Sequence, residues 1–337
     1  MTYQEALQAA RGNMGPCKAC PICNGLACGN TVPGPGAKGS GTGAHRNYEG
    51  WQNILLNMDT ICENRPVDTS VELVGKKLSI PVMAAPIATV INHYGDKLDE
   101  KTYTDALVSG WQKAGIAPFL GDSMVDYVFP TVCDSMQQLG WSIPTIKPWN
   151  EELVMQRIDL AKAKGAKVLA MDIDGSGLPF LKNITPPSGS KTVQELRKII
   201  EYAGVPFILK GIMTVRGAQK ALEAGAAGIV VSNHGGRVLD YVPSTAAVLP
   251  TIADSVRGQM AVLVDGGIRS GIDVFKAIAL GADAALIGRP FVTMVYGGGA
   301  DGVCAYVAKL KAELSDAMEM CGPRTIDEIS REHLFNA

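Results

Sequence analysis

The chain has 337 residues, of which 47% are hydrophobic and 19% charged, with a formal net charge of −2. These values are typical of a globular protein with a large core and argue against a basic nucleic-acid-binding surface. No apolar run approaches the ~20 residues of a membrane-spanning helix, and the start, MTYQEALQAARGN, lacks the apolar stretch of a signal peptide. We therefore expect a cytoplasmic protein with no membrane span and no nucleic-acid partner.

Residues 1–75 form a first region that shows little periodicity after one short predicted helix over 2–11. This region contains CKACPICNGLACGNTVPGPGAKGSGTG, which is rich in glycine and proline and carries Cys17, Cys20, Cys23 and Cys28. A stretch of this composition is either a flexible linker or a loop that is ordered by something it binds. We predict that it packs on a domain formed by residues 76–337.

From about residue 80, short apolar runs alternate with helical patterns. The runs are 81–86, 116–120, 143–147, 167–174, 206–210, 228–232, 260–267 and 284–288, and helices are predicted over 99–114, 125–139, 150–164, 192–203, 214–224, 244–257, 271–280 and from 291 onward. Runs without alternation are typical of parallel strands buried on both faces. Eight strand–helix units predict a (β/α)8 TIM barrel, followed by C-terminal helices. A doubly wound sheet is the alternative, but the first run lacks its glycine-rich turn.

The clearest chemical motif is VLVDGGIRSGIDVFKAIALGADAALIGRPF, over residues 262–291. In barrels of this kind, the loops after strands seven and eight commonly bind phosphate. Glycines let backbone N–H groups approach the phosphate oxygens, and arginine can pair with them bidentately. The motif predicts a site for a phosphorylated ligand, with ordinary turns and surface arginines as the alternative. The residues concerned are Asp265, Gly266, Gly267, Arg269, Gly288 and Arg289.

A second motif, GIVVSNHGGRVLD, follows the predicted sixth strand. Its histidine, His234, can accept a proton near neutral pH, and Arg237 offers a planar fork to a carboxylate. The run from Ser232 to Arg237, with Leu239 and Asp240, resembles the signature of the FMN-dependent 2-hydroxy-acid oxidase and dehydrogenase family. Glycolate oxidase, lactate oxidase and flavocytochrome b2 belong to this family. The likeness covers residues 70–300 or thereabouts.

The resemblance implies an FMN-dependent enzyme, a tetramer or octamer, that oxidises a small 2-hydroxy acid to a 2-oxo acid. It implies that His234 takes the substrate's proton and that Arg237 holds the carboxylate. Asp174 would hydrogen-bond the histidine, and Lys210 would stabilise negative charge on the reduced flavin. For FMN binding, the resemblance adds to the phosphate motif the residues Ala85, Pro86, Ile87, Ala88, Gly121, Thr145, Asp172, Lys210 and Ser232. Thr145 and Asp172 differ from the family's usual glutamine and threonine.

Three substrate-binding residues of the family have no counterpart in this chain. Thr145-Ile146-Lys147 stands where Gln-Leu-Tyr is expected, and no arginine follows the fourth strand until Arg197. Tyr48 does not share the context of the family's N-terminal tyrosine. Lys147 or Lys182 could replace the lost charge, although a solvated surface lysine is the alternative for each.

The spacing C-x2-C-x2-C-x4-C over residues 17–28 is typical of iron–sulfur or zinc sites. A reduced, thiol-rich loop over the flavin and a redox disulfide are the alternatives. An iron–sulfur cluster would give flavin electrons an exit without O2 and favours a dehydrogenase. The acceptor itself is left open between O2, a quinone and a carrier protein.

Two other functions fit part of these motifs. One is a different enzyme on the same phosphate-binding barrel, such as a non-redox isomerase or a nucleotide-processing enzyme. The other is a flavin or metal sensor without catalysis, in which the cysteine segment is the functional part.

Overall fold

The computed structural model describes residues 1–181, 184–185 and 188–335, and its centre is a barrel of eight parallel strands. Before the barrel lie helices α1 (Tyr3–Ala10) and α2 (Gly43–Gln52) and a hairpin of β1 (Val71–Leu73) and β2 (Lys76–Leu78). The barrel strands are β3 (Val82–Ala84), β4 (Phe119–Gly121), β5 (Ile143–Ile146), β6 (Leu169–Asp172), β7 (Phe207–Ile212), β8 (Gly228–Val231), β9 (Ala261–Val264) and β10 (Ala284–Ile287). The helices after β3 are α3 (Val90–Tyr94), α4 (Glu100–Lys113), α5 (Val128–Leu139), α6 (Glu151–Ala163), α7 (Val193–Ala203), α8 (Val215–Glu223), α9 (Thr245–Val256), α10 (Gly271–Ala279) and α11 (Arg289–Cys321).

Parallel pairing closes the barrel. The strands lie in the order β3-β10-β9-β8-β7-β6-β5-β4, and a bridge between Ala84 and Pro118 completes the circle. Strand residues are buried on both faces, because helices cover the outside and side chains fill the inside. Each predicted apolar run overlaps one barrel strand. The predicted (β/α)8 barrel is therefore confirmed, and the doubly wound alternative is wrong.

Local sequence explains where the helices begin and end. The side-chain oxygens of Thr192 and Ser244 accept backbone N–H groups at the starts of α7 and α9. At the other end, α11 stops at Cys321 because Gly322 takes a φ of +104° and a proline follows. The predicted C-terminal helical extension thus consists of the rest of α11 and two short 3-10 turns at Ile326–Glu328 and Arg331–His333.

The region before the barrel shares the hydrophobic core of the barrel. Ala6, Leu7 and Ala10 of α1 are buried against α11, and Trp51 of α2 is fully buried. The indole Nε1 of Trp51 donates to the carbonyl oxygen of Gly266 at 2.7 Å, so α2 is tied to the end of β9. The N-terminal region thus reaches the end of the barrel where the predicted site lies. Within the described residues, no helix has the length and hydropathy needed to span a bilayer.

The contact between α1 and α11 gives a first prediction. A Cβ added at Gly297 would overlap the carbonyl oxygen of Ala6. We expect Gly297→Ala to lower the free energy of unfolding by about 1–3 kcal/mol, because the backbones of the two helices must separate. Gly189→Ala is the control, since a Cβ there meets nothing within 4 Å. Chemical denaturation of both variants measures the difference, and equal midpoints would contradict the close approach.

Candidate active site

An open cavity lies at the carboxyl ends of the barrel strands. It contains about 950 Å³ of space free of protein atoms, including solvent at its mouth. Most of the residues predicted for the flavin and the substrate line it: Ala85, Pro86, Ile87, Ala88, Gly121, Lys210, His234, Arg237, Asp265, Gly266, Gly267, Arg269, Gly288 and Arg289. This end of a (β/α)8 barrel is where active sites form, because each β/α loop can direct a side chain inward.

Four other predicted residues, Thr145, Asp172, Asp174 and Ser232, lie behind the cavity wall and support the lining residues. The hydroxyl of Ser232 accepts hydrogen bonds from Lys210 Nζ at 3.1 Å and from the backbone N–H of His234 at 3.0 Å. Thr145 Oγ1 donates to the carbonyl oxygen of Ile143, so the hydroxyl of Thr145 is bonded to the backbone of its own strand.

His234 occupies a strained backbone position with a φ of +56°. Its Nδ1 lies 2.9 Å from Asp174 Oδ1, and its Nε2 lies 4.0 Å from Asp172 Oδ2. Burial, together with the charges of Lys210 and Lys147, holds the pKa of His234 well below its usual value. The imidazole is therefore uncharged at neutral pH, and with Nδ1 donating to Asp174 its Nε2 carries the free lone pair.

Asp174 can approach the histidine because the neighbouring strand, β7, is irregular at this point. A β-bulge between Lys210 and Ile212 interrupts the pairing of β7 with β8, and Gly211 takes a φ of +103°. A Cβ at Gly211 would lie 2.5 Å from Asp174 Cβ. Glycine is required here because the Asp174 side chain occupies that space.

Lys210 is a buried cation surrounded by carboxylates. Its Nζ lies 3.5 Å from Asp265 Oδ2. Burial alone would lower the pKa of Lys210, but Asp265, Asp174 and Asp172 outweigh it and raise the pKa above its usual value. Burial raises the pKa of Asp174 and Asp265 against the opposing charge of Lys210. The lysine thus stays charged because three carboxylates lie near it.

Lys147 occupies the position where the family's tyrosine was expected, and it lines the cavity. Its Nζ donates to Asp172 Oδ2 in a short, largely buried ion pair. The suggestion that Lys147 replaces lost charge in the site fits this placement, whereas Lys182 lies outside the described residues. Asp172, Asp174 and His234 bring ligand atoms within 4.8 Å of one another. The charges of Lys147 and Lys210 beside them disfavour a cation there.

The phosphate end of the cavity is formed by glycines and two arginines. Gly266 and Gly267 have φ values of +88° and +90°, and a Cβ on Gly267 would overlap the carbonyl oxygen of Asn47. Gly288 precedes α11 without a side-chain cap among the described residues, whereas Ser270 caps α10. The positive end of the α11 helix dipole lies at this end of the cavity and suits an anion.

The two arginines at this end are held by backbone carbonyls. Arg269 Nε donates to Cys23 O at 2.6 Å, and Arg289 Nη2 donates to Gly235 O at 2.7 Å. Two positive charges beside a glycine cradle suit a phosphate group.

Arg237 also lines the cavity. Its Nη2 donates to Pro33 O at 2.7 Å and to Gly34 O at 3.1 Å, so the N-terminal region holds it in place. Burial lowers the pKa of Arg237 to about 10, which leaves it charged at neutral pH. Its buried Nε has no hydrogen-bond partner within the described part of the chain. An unpartnered buried donor of this kind is suited to a carboxylate ligand.

Sequence analysis did not identify several lining residues, notably His93 and Tyr94 of α3, Asn47 of α2 and Asp122 after β4. Asn47 and Asn233 exchange amide hydrogen bonds of 2.7 and 2.9 Å. Asp122 Oδ2 accepts from the indole of Trp149 at 2.6 Å. The asparagine pair fixes the loop of His234, but no local pattern around Asn47 indicates this distant partner.

Known proteins with similar sequences all point to one family. The family model described as FMN-dependent dehydrogenase matches residues 35–183 and 179–336. The peroxisomal (S)-2-hydroxyacid oxidase GLO3 of Arabidopsis thaliana is 32% identical over 327 residues, which span 86% of this chain and 87% of the relative. An L-lactate dehydrogenase of Pseudomonas paraeruginosa is 46% identical over 141 residues, 42% of this chain and 37% of the relative.

Solved structures agree with the sequence relatives. A mandelate oxidase variant with (S)-mandelic acid has a TM-score of 0.77 at 26% identity and covers 99% of this chain and 97% of its own. The flavin-binding domain of baker's yeast flavocytochrome b2 has a TM-score of 0.80 at 21% identity, over 89% of this chain and 80% of its own. The latter likeness shows the fold alone.

The cavity wall also predicts a dependence of stability on pH. Burial, then the nearby charge of Arg237, lowers the pKa of His93 to about 4, below the ~6.5 of an unfolded histidine. The unfolded chain therefore binds a proton between these values that the folded chain does not, so stability falls as pH decreases from about 6.5 to 4. We expect His93→Phe to lose less stability across this window, by up to about 3 kcal/mol.

Chemical denaturation of wild type and His93→Phe at a series of pH values measures this effect. At pH 8 the two proteins should differ only by the change in packing. Parallel stability curves from pH 8 to pH 4 would show that His93 does not have the lowered pKa.

Proposed function

Because the chain belongs to the FMN-dependent dehydrogenase family, we propose that it oxidises a small 2-hydroxy acid to the corresponding 2-oxo acid. The observation that carries this proposal is the pairing of His234 with Asp174, in one cavity with Arg237 and Lys210. A base, a carboxylate anchor and a buried cation thus meet beside a phosphate-binding end. A 2-hydroxy acid needs each of these groups when it loses its α-hydrogen and hydroxyl proton.

FMN is the cofactor that this cavity fits. We assign its phosphate to the glycine cradle and to Arg269 and Arg289, beside the uncapped start of α11. The segment 85–88 would line the ring, because its residues line the cavity together with Gly121. When bound, FMN supplies the acceptor for the two electrons that leave the substrate.

His234 is the base of the proposed reaction. Since its pKa is held below the usual value, Nε2 is unprotonated at neutral pH and can accept the substrate's proton. The imidazolium that forms then lies 2.9 Å from Asp174 and 4.0 Å from Asp172, whose negative charges stabilise it. The same two contacts hold the ring in a single orientation.

Lys210 and Arg237 stabilise negative charge at different points. Lys210 places a permanent positive charge at the inner wall of the cavity, where electron density arrives. Arg237 lines the cavity and would bind the substrate carboxylate through its guanidinium, whose Nε has no partner among the described residues. With Lys147 engaged by Asp172, Arg237 is the anchor that remains for a monocarboxylate.

Several further properties belong to the same proposal. We propose a homo-oligomer, a tetramer or octamer, in the cytoplasm, which uses O2, a quinone or a carrier protein as electron acceptor. We also propose that Cys17, Cys20, Cys23 and Cys28 bind a metal centre, either an iron–sulfur cluster or zinc, because their spacing suits both.

The first experiment is a visible spectrum of the purified protein, followed by anaerobic addition of glycolate, lactate and mandelate. We expect a flavin spectrum that one of these acids bleaches. A protein that stays colourless after FMN addition would overturn the proposal. A flavin spectrum that no 2-hydroxy acid bleaches would favour a non-redox enzyme on the same barrel.

Replacement of the base tests its role. We expect His234→Asn to keep FMN but to lose flavin reduction by at least ~10²-fold, because general base catalysis contributes about 10²–10⁴-fold. Stopped-flow bleaching under anaerobic conditions measures the rate. His45→Asn, a change at a histidine outside the cavity lining, is the control and should bleach like wild type. Unchanged reduction in His234→Asn would assign the base elsewhere.

Replacement of Arg237, the proposed carboxylate anchor, should change substrate binding. We expect Arg237→Met to weaken substrate binding by about 10- to 100-fold, since a hydrogen bond to a charged group contributes about 1.5–3 kcal/mol. The dependence of the bleaching rate on substrate concentration measures this loss. Arg257→Met, at an exposed arginine paired with Asp254, should leave it unchanged. Equal substrate affinity in Arg237→Met and wild type would show that another group holds the carboxylate.

A further inference from the structure

A second cavity lies between α1, the cysteine segment and the start of α11. Cys17, Cys20, Cys23 and Cys28 all line it, and Arg289 and Pro290 form part of its far wall. The four thiols act on one another electrostatically. Apolar side chains such as Leu7 and Met294 complete the wall. The four cysteines thus line one shared space although ten residues lie between the first and the last of them.

The backbone of the segment is shaped so that these thiols converge. Ala19 takes a φ of +44° between Cys17 and Cys20, and the N–H of Ala19 donates to the sulfur of Cys17. Gly25 takes a φ of +86°, and a Cβ there would lie 2.8 Å from Ala44 Cβ on α2. Turns of this kind, with backbone N–H groups directed at sulfur, are common around metal-bound thiolates.

The separation of the thiols distinguishes between metals. A single zinc ion with Zn–S bonds of about 2.3 Å draws its four sulfurs to about 3.8 Å from one another. Among the residues that the structure describes, no three of these thiols lie within 4.8 Å of one another. In an iron–sulfur cluster each cysteine binds its own iron, and inorganic sulfide keeps the irons apart, so the thiolates stand farther from each other.

The charged neighbours also suit a cluster. A four-iron cluster with four thiolates carries net negative charge, which basic groups stabilise. Arg11 and Lys18 lie near Cys20, and Arg289 lies near Cys28. Arg269 Nε donates to the carbonyl of Cys23. Basic side chains therefore surround the cavity from three elements of the fold.

Two of these arginines join the cysteine cavity to the active site. Arg289 lines both cavities, and Arg269 lines the active-site cavity while it holds Cys23. The two cavities therefore share Arg289 in their walls, and Arg269 ties the cysteine segment to the active-site cavity. On the opposite side the cysteine segment reaches the surface, where Ile22 and Leu26 are 55% and 63% exposed.

We propose that Cys17, Cys20, Cys23 and Cys28 hold a [4Fe–4S] cluster that carries electrons from the flavin site to a one-electron carrier protein. The binding site stands on its own residues, whereas its role as an electron exit rests on the proposed function. Oxidation of one 2-hydroxy acid releases two electrons and two protons. The electrons pass through the cluster one at a time, so one substrate and two oxidised carriers give one 2-oxo acid, two reduced carriers and two protons.

The test uses the full chain, produced and purified without oxygen. Iron, zinc, acid-labile sulfide and FMN are quantified, and the dithionite-reduced protein is examined by electron paramagnetic resonance. We expect about four irons and four sulfides per chain and the signal of a reduced cluster. Zinc in place of iron, or a disulfide with neither metal, would overturn the proposal.

Matched cysteine variants locate the cluster. We expect Cys20→Ala and Cys23→Ala to lose most of the iron, the sulfide and the resonance signal while they keep FMN. Cys62→Ala, at an exposed cysteine outside this cavity, should keep all of them. Retained FMN shows that a variant is folded, and a cluster that survives both changes would contradict the assignment.

The electron exit is tested separately from the cluster. Anaerobic addition of the 2-hydroxy acid that bleaches the flavin should produce the resonance signal of the reduced cluster without dithionite. Bleaching without this signal would exclude the exit but leave the proposed function intact. A cluster in a protein that binds no FMN would overturn the proposed function and leave the cluster site intact.

Discussion

The ion pair of Lys210 with Asp265, close to the charges of Asp172 and Asp174, is the constraint on which the site depends. A lone ammonium this deeply buried would lose its proton, and a lone carboxylate would gain one. Asp265 at 3.5 Å and the two aspartates behind His234 keep the lysine charged. Removal of one partner from such a buried pair costs about 3–5 kcal/mol, because it leaves the other charge uncompensated. Lys210 is also linked to the histidine, because Ser232 Oγ accepts hydrogen bonds from both Lys210 Nζ and the backbone N–H of His234.

His234 shows how the same charges set the chemistry. Lys210 and Lys147 disfavour a second positive charge, so the free histidine is a neutral base. Asp172 and Asp174 favour the imidazolium once a proton has arrived. The free site therefore keeps the histidine unprotonated, and the two carboxylates offset part of the cost of the imidazolium once it forms. Arg237, held by the carbonyls of Pro33 and Gly34, is positioned for that anion in advance.

Local sequence was sufficient for the barrel and for much of the site. The apolar composition of the runs was enough to predict strands buried on both faces. The glycines beside Arg269 and Arg289 were enough to predict an anion-binding end. The support that Asp174 gives His234 came from family resemblance, and the structure adds the bulge at Gly211 that makes room for it. Asn47 and Tyr94 could not be predicted, since their roles depend on packing between segments far apart in the chain. Lys147 was predicted in part. The sequence showed that a lysine replaces the family's tyrosine, but it did not show that Asp172 is the partner of this lysine.

The asparagine pair that joins α2 to the His234 loop has a consequence for how the protein is made. Asn47 and Asn233 are 186 residues apart, and Arg269 and Cys23 are 246 apart. During synthesis the N-terminal segment leaves the ribosome first, yet its partners emerge only after most of the barrel has been translated. Contacts of such long sequence separation cost more chain entropy to close than local ones. The cavity at the barrel mouth therefore cannot be completed until the chain has been translated as far as Arg289, so the N-terminal segment must wait for its partners.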